Sequence, residues 1–168
     1  MIFVGVVSDN KSFKTVKNNI RSQEINLIQI NNNSIDNIKN IKFEIIVINK
    51  EIEKLKDKIK IIELICSKSK YLIINTDINS ELFYFEGTNK PNIITFGLNH
   101  KATVTLSSIT ECSLLICLQK NIKDKNNKLI EIGEKQIKIS KENKIKTYEI
   151  FIIFIISIII DETIILKT

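Results

Sequence analysis

Residues 73–109 read IINTDINSELFYFEGTNKPNIITFGLNHKATVTLSSI. An apolar, β-branched run closes on Asn75-Thr76-Asp77, and beyond Pro91 a second run opens with Ile93-Ile94-Thr95-Phe96-Gly97. Asn and Asp at the end of such a run favour a tight turn, because their short side chains hydrogen-bond the backbone two residues on. The stretch is a junction between strands, and the segments on either side of it decide the fold.

Upstream, IFVGVV (2–7), INLIQI (25–30), FEIIVIN (43–49) and YLIIN (71–75) are short, β-branched and mostly apolar on both faces, as strands of a covered parallel sheet are. Between them, KSFKTVKNNIRSQ (11–23) and KEIEKLKDKIKIIELICSKSK (50–70) are long enough for crossover helices. The second carries Ile52, Leu55, Ile59, Ile62 and Ile65 at spacings of three or four. NNNSIDNIKN (31–40) reads as a loop with a short helical turn. Residues 1–90 thus form an α/β part with a mostly parallel sheet and crossover helices.

After Pro91, the only proline, the pattern changes. NIITFGL, ATVTLSSI, SLLICLQK, KLIEI and KQIKIS are short, β-rich and separated by brief polar segments, which predicts a small antiparallel sheet over 91–140. The Ile-rich segment 146–160 closes the unit. Isoleucine content favours strand there and length favours helix, so local rules do not settle it. The apolar run from Ile150 to Ile160 is flanked by Glu149 and Asp161-Glu162 and falls well short of the roughly 20 residues a membrane span requires. It is expected in a core, with a membrane-associated basic protein anchored by residues 150–166 as an alternative.

A chain of 168 residues suits one domain, 1–168. The net charge of +6 would ordinarily raise nucleic acid as a partner. Only Arg21 among the 25 basic residues is arginine, and the lysines are scattered among Ile and Asn without interleaved aromatics. No nucleic-acid partner is expected. MIFVGVVSDN lacks a basic n-region and a small-residue cleavage site, so it reads as a first strand, and the expected location is cytoplasmic. Cys66, Cys112 and Cys117 are read as lying inside apolar runs, as small buried hydrophobes in a reducing compartment do. With a single histidine, His100, they make no tetrahedral metal set, and no metal ligands are assigned. His100 reads as an exposed loop residue.

The order of these segments resembles the central domain of the Mur ligases, the ATP-dependent amide-forming enzymes of peptidoglycan precursor assembly. The match is carried by Ile73-Ile74-Asn75-Thr76-Asp77, by Ile93-Ile94-Thr95-Phe96-Gly97, and by Ala102 and Thr103 to Leu106 in the strand after it. More loosely, Lys146-Thr147-Tyr148-Glu149 stands where the family has an Asn-containing helix start, which implies a helix for the Ile-rich segment. The family's flanking domains, which bring the other substrates, have no counterpart in these residues.

The resemblance implies ATP and Mg²⁺, and the residues can be tested against that. The family's first strand runs into a Gly-rich phosphate loop, in which backbone N–H groups approach the phosphates and a lysine neutralises them. Here the first strand runs into Val7-Ser8-Asp9-Asn10-Lys11-Ser12. Lys11 and Ser12 fall at the positions of the lysine and the Mg²⁺-binding hydroxyl, but Val7 and Asn10 replace the glycines and Asp9 adds a negative charge. The bland alternative is a solvated Lys11 opening a helix capped by Ser8, Asp9 or Asn10. Asn49 matches a family strand end, yet Lys50-Glu51-Ile52-Glu53-Lys54-Leu55 follows in place of the His-containing segment, as an exposed, ion-paired helix face. Asn75 matches an adenine-contacting residue, or else caps the turn to Asp77.

These substitutions lead to the expectation of a non-catalytic Mur-ligase-like domain, a pseudoenzyme without assigned catalytic residues. It would be a cytosolic binding or scaffolding module with a protein partner, linked to cell-wall physiology. Lys11, Ser12 and Asn75 would be a vestigial nucleotide site. The alternative is a working ATP-dependent amide ligase, or the nucleotide-binding part of one, that uses the same three residues.

Overall fold

The first apolar run, β1 (Ile2–Val7), is the centre of the fold. Four of its six residues are buried, and it lies between two parallel partners, β2 (Ile25–Ile30) on one side and β3 (Ile45–Ile48) on the other. The computed structural model describes residues 1–20, 22–38, 40–51, 63, 66–79, 90–139 and 145–161. Beyond β3 the sheet continues in parallel through β4 (Tyr71–Asn75), β5 (Asn92–Phe96) and β6 (Val104–Ile109). Two antiparallel pairings then add β7 (Ser113–Leu118) and β10 (Gly133–Lys138). The eight strands stand in the order β10-β7-β6-β5-β4-β3-β1-β2, and β8 (Ile122–Lys123) pairs with β9 (Leu129–Ile130) as a separate two-stranded sheet. The fold is α/β with a mostly parallel sheet, as the apolar runs predict.

The antiparallel part is smaller than the sequence reading has it. Residues 92–109 extend the parallel sheet, and only the β8–β9 hairpin stands apart. A connection as short as Gly97–Thr103 ordinarily joins antiparallel strands, since parallel strands need a crossover of about a dozen residues to return to the same level. Here no return is made. Val104 at the start of β6 pairs with Phe96 at the end of β5, so β6 begins where β5 stops and carries the sheet upward.

Alternation of side chains divides the core between two faces. Val4, Val6, Ile45, Val47, Ile73 and Phe96 point to one face, where α1 (Asn10–Asn19) and α3 (Thr147–Ile160) cover them. Val7, Ile46, Ile48, Leu72 and Ile74 point to the other and pack with Ile35 and Ile38 of α2 (Ile35–Ile38) and with Cys66. The helix predicted over 50–70 lies for the most part outside the described residues.

The Ile-rich segment is a helix. Eleven of the fourteen residues of α3 are buried, and a helix apolar on every side is a core helix. Every backbone group of its interior is bonded within the segment, which lets isoleucine be helical where tertiary burial outweighs its strand preference. No helix among the described residues is long and apolar enough to cross a membrane. The far end of α3 is held by the β8–β9 hairpin, in which Lys125 N–H donates to Ile159 O at 2.7 Å. The same loop receives the Tyr71 hydroxyl on Asp124 O at 2.6 Å and Lys70 Nζ on Lys125 O at 2.7 Å. Asn127 takes the left-handed conformation (φ 64°) in the turn KDKNNK, which asparagine tolerates better than most residues.

Cysteine burial is uneven. Cys66 is buried, Cys117 is half-buried, and Cys112 is exposed in the turn before β7, where the apolar run has not yet begun. Cys112 therefore departs from the expected core position.

Candidate functional site

The sheet order 2-1-3-4-5 reverses direction at β1, because the chain moves from β1 outward to β2 and then returns to place β3 on β1's other side. In open α/β sheets the helices on either side of such a switch point diverge, leaving a crevice outside the carboxyl ends of the strands. Ser8 and Asp9 after β1, Asn49 after β3, and Asn75 to Asp77 at the end of β4 all lie at this edge. The start of α3 joins them.

Lys11 and Ser12 occupy the first turn of α1. The Asp9 side chain caps this helix, Oδ1 accepting the Ser12 N–H at 2.9 Å. The negative charge of Asp9 thus takes the place on the helix N-terminus that an anion would occupy. Asn10 keeps the turn in another way: Gln29 Nε2 donates to Asn10 Oδ1 at 2.8 Å and to Ser8 O at 3.2 Å, tying the loop to β2. Lys11 is exposed and Ser12 is buried.

Ser12 and Asn75 are brought together through a third residue. Asn49 Nδ2 donates to Ser12 Oγ at 3.3 Å, and Asn75 Nδ2 donates to Asn49 Oδ1 at 2.8 Å. Asn75 is fully buried, and its Oδ1 accepts the Asp77 N–H at 3.0 Å, the turn-capping geometry. Both ends of the Asn75 amide are therefore engaged within the chain. Lys11 does not join this network.

Asp77 is the residue that the sequence reading undervalued. Its Oδ2 accepts the Leu98 N–H at 2.6 Å and the Tyr148 hydroxyl at 3.0 Å, and its Oδ1 accepts Asn99 Nδ2 at 2.7 Å. Partial burial pushes the carboxyl pKa up, but the bonds from Asn99, Leu98 and Tyr148 outweigh it and hold the carboxyl below its ordinary range. Tyr148 is pushed the other way, above its ordinary value, by burial and by the Asp77 carboxylate. The approach is close enough to need glycine at 97, since a Cβ there would stand 2.8 Å from Asp77 Oδ1 and from Asn99 Nδ2. The visible signal was Asn-x-Asp followed some twenty residues later by Gly-x-Asn. Its partner Tyr148 has no local signal at all.

No protein-family model matches the chain, and the search of curated proteins finds no match either.

The N-terminus of α3 is also closed by a carboxylate. Glu149 is buried and its Oε2 accepts the Lys146 N–H at 2.9 Å, the reciprocal half of a capping box. The N-termini of α1 and α3 are thus both closed by the chain's own acidic side chains. His100 is exposed in the turn after β5, as expected. Glu51 is exposed, and Glu53 lies outside the described residues. No group of three or more His, Cys, Asp or Glu side chains among the described residues is placed to hold a metal ion.

A cavity of about 630 Å³ opens elsewhere, at the amino ends of β3, β4 and β5. It shares no residue with the switch-point network.

Proposed function

We propose that the chain is a non-catalytic relative of the Mur ligase central domain, acting as a binding or scaffolding module whose ancestral nucleotide site has been closed by its own side chains. The observation that carries this reading is the Asp9 carboxylate on the Ser12 N–H. A nucleotide phosphate brought to the same helix end would meet that carboxylate at close range, in place of the free N–H groups a phosphate loop offers. Val7, buried at the end of β1, adds a β-branched side chain where the family has glycine. Asn75, the proposed adenine contact, has both amide ends engaged, so the residues at this edge do not fit a nucleotide and no reaction step is assigned to them. The strand order, the asparagines that follow β3 and end β4, and the placement of the α3 start beside β4 support the ancestry. A protein partner and a role in cell-wall physiology belong to the same proposal.

The competing reading, an ATP-dependent amide ligase or part of one, rests on Lys11, which is exposed and free to reach an anion. Thermal melting with ATP and Mg²⁺ separates the two. A ligand at 100 times its Kd adds about 2.7 kcal/mol of stability, a shift readily seen in the melting temperature. The proposal expects any shift at millimolar ATP to be the same in the parent chain and in Lys11→Ala. A shift that Lys11→Ala abolishes would overturn it.

A further inference from the structure

The cavity at the amino edge of the sheet is built by three separate segments that the topology sets side by side. Residues 42–44 lead into β3, residues 67–70 into β4 and Lys90 into β5, and these three strands are neighbours in the sheet. Of the ten described residues that line it four are lysines, Lys42, Lys68, Lys70 and Lys90, against one carboxylate, Glu44. Lysine makes up 24 of 168 residues, about one in seven, so the lining is enriched well beyond the chain's own bias.

The lysines are not equivalent. Lys70 is fixed in the wall: its Nζ donates to Lys125 O at 2.7 Å, pairs with Glu44 at 3.7 Å and lies 5.5 Å from the centre of the Tyr71 ring. The only acid among the described lining residues is thereby spent on the one lysine that is already bonded. Lys42, Lys68 and Lys90 make no hydrogen bond or ion pair among the described residues, and all three are exposed. Three uncompensated ammonium groups around one concavity repel one another, and a multiply charged anion relieves that repulsion.

We propose that this cavity binds a small molecule carrying several phosphate groups. About 630 Å³ is within the range of small-molecule sites and takes an oligophosphate with its bound water. A nucleic-acid strand is the weaker fit, because Phe43, the one aromatic among the described lining residues, is fully buried and offers no face on which a base stacks. The proposal is independent of the closed switch-point site, which lies at the opposite ends of the same strands.

The test is isothermal titration calorimetry of the full chain with inorganic tripolyphosphate at low ionic strength. The expected result is saturable binding that weakens as salt is added. The Lys68→Glu/Lys90→Glu variant weakens it by about tenfold or more through two reversed charges, Lys68→Arg/Lys90→Arg retains it, and Lys11→Ala leaves it unchanged. Both charge-reversed positions are exposed, and a melting curve without ligand that matches the parent chain shows that the variant folds. The proposal is overturned by no saturable heat at millimolar tripolyphosphate, by equal affinity in the charge-reversed variant, or by loss of binding in Lys11→Ala. Preferential binding of a single-stranded oligonucleotide that tripolyphosphate does not displace also overturns it.

Discussion

The Tyr148 hydroxyl donates to Asp77 Oδ2 at 3.0 Å, joining the first turn of the last helix to the end of a central strand 71 residues earlier in the chain. Tyr148 also meets the ring of Phe96 edge-on, with centroids 6.4 Å apart, so the ring is held by packing and the hydroxyl by charge. Tyr148→Phe keeps the first contact and removes the second. It should cost about 1 kcal/mol, the usual loss for one partly exposed hydrogen bond, read as a lower urea midpoint with an unchanged slope.

The same pair gives a pH dependence with two limbs. Asp77 has a lowered folded-state pKa, so its contribution is present above the unfolded value near 4 and is lost as pH falls through the lower folded value. Tyr148 has a raised one, so its contribution is present below about pH 10 and is lost as pH rises through the folded value. Stability curves of the parent chain and Tyr148→Phe should therefore run closest at the two extremes and lie furthest apart between them. A constant gap at every pH would show that the hydroxyl does not interact with the carboxylate.

Asn75→Ala removes a buried amide that serves two neighbours. Asn49 Oδ1 and the Asp77 N–H would both lose their partner, a loss of about 2–3 kcal/mol in the urea-derived stability. Asn75→Asp puts a carboxylate against Asn49 Oδ1 and should be at least as damaging, unless the Asn49 amide turns over to donate. A neutral Asn75→Ala would mean that this amide does not hold β3 and β4 together at their ends.

Asp9→Ser separates capping from charge. Serine is an equally good N-cap, so stability should fall by less than about 1 kcal/mol. Removing the carboxylate leaves the α1 N-terminus open to an external anion, so added phosphate should raise the melting temperature of Asp9→Ser more than that of the parent chain. Equal phosphate responses in the two would show that Asp9 is not what closes the site.

The three thiols should separate by reactivity. Cys112, exposed, reacts first with a disulfide reagent, and half-buried Cys117 follows more slowly. Burial, and after it the Glu63 carboxylate, pushes the Cys66 thiol far above its ordinary range, so Cys66 should react only as fast as the protein unfolds. Mass spectrometry of the labelled chain reads the order directly.

The parallel strands were legible because their apolar runs are continuous, and three of the four, 2–7, 25–30 and 71–75, keep the bounds read from the sequence. The sequence reading runs the third strand over 43–49, but Asn49 follows it, and Phe43 and Glu44 are not part of it either. They instead lead into it, with Glu44 O accepting from Lys70 and Tyr71. The sequence pattern carries the first helix to 23, but it ends at Asn19, since Ile20 turns out of the helix to pack against the core, a tertiary choice no local rule carries. At the site, the cap by Asp9 and the turn at Asn75 follow from neighbours two or three residues away. The bonds from Tyr148 and Asn99 to Asp77 depend on the sheet having formed, so no local pattern signals them. The staggered start of β6 belongs to the same class, for it is visible only as a pairing.

The first strand and the last helix share one core, with Val4 and Val6 of β1 in the same cluster as Ile152 and Ile156 of α3. A chain growing from its N-terminus can pair β1 with β2 and β3 early, yet on one face that young sheet is covered only in part, by α1, until Ile160 has been added. Long-range closure of this kind makes folding slow and leaves apolar surface open in the meantime. Order of synthesis and order of burial are opposed in this molecule: the strand made first is among the last to be fully covered. Fragments that stop short of residue 147 should consequently collect in aggregates, and adding a separate peptide of α3 should draw part of that material back into solution.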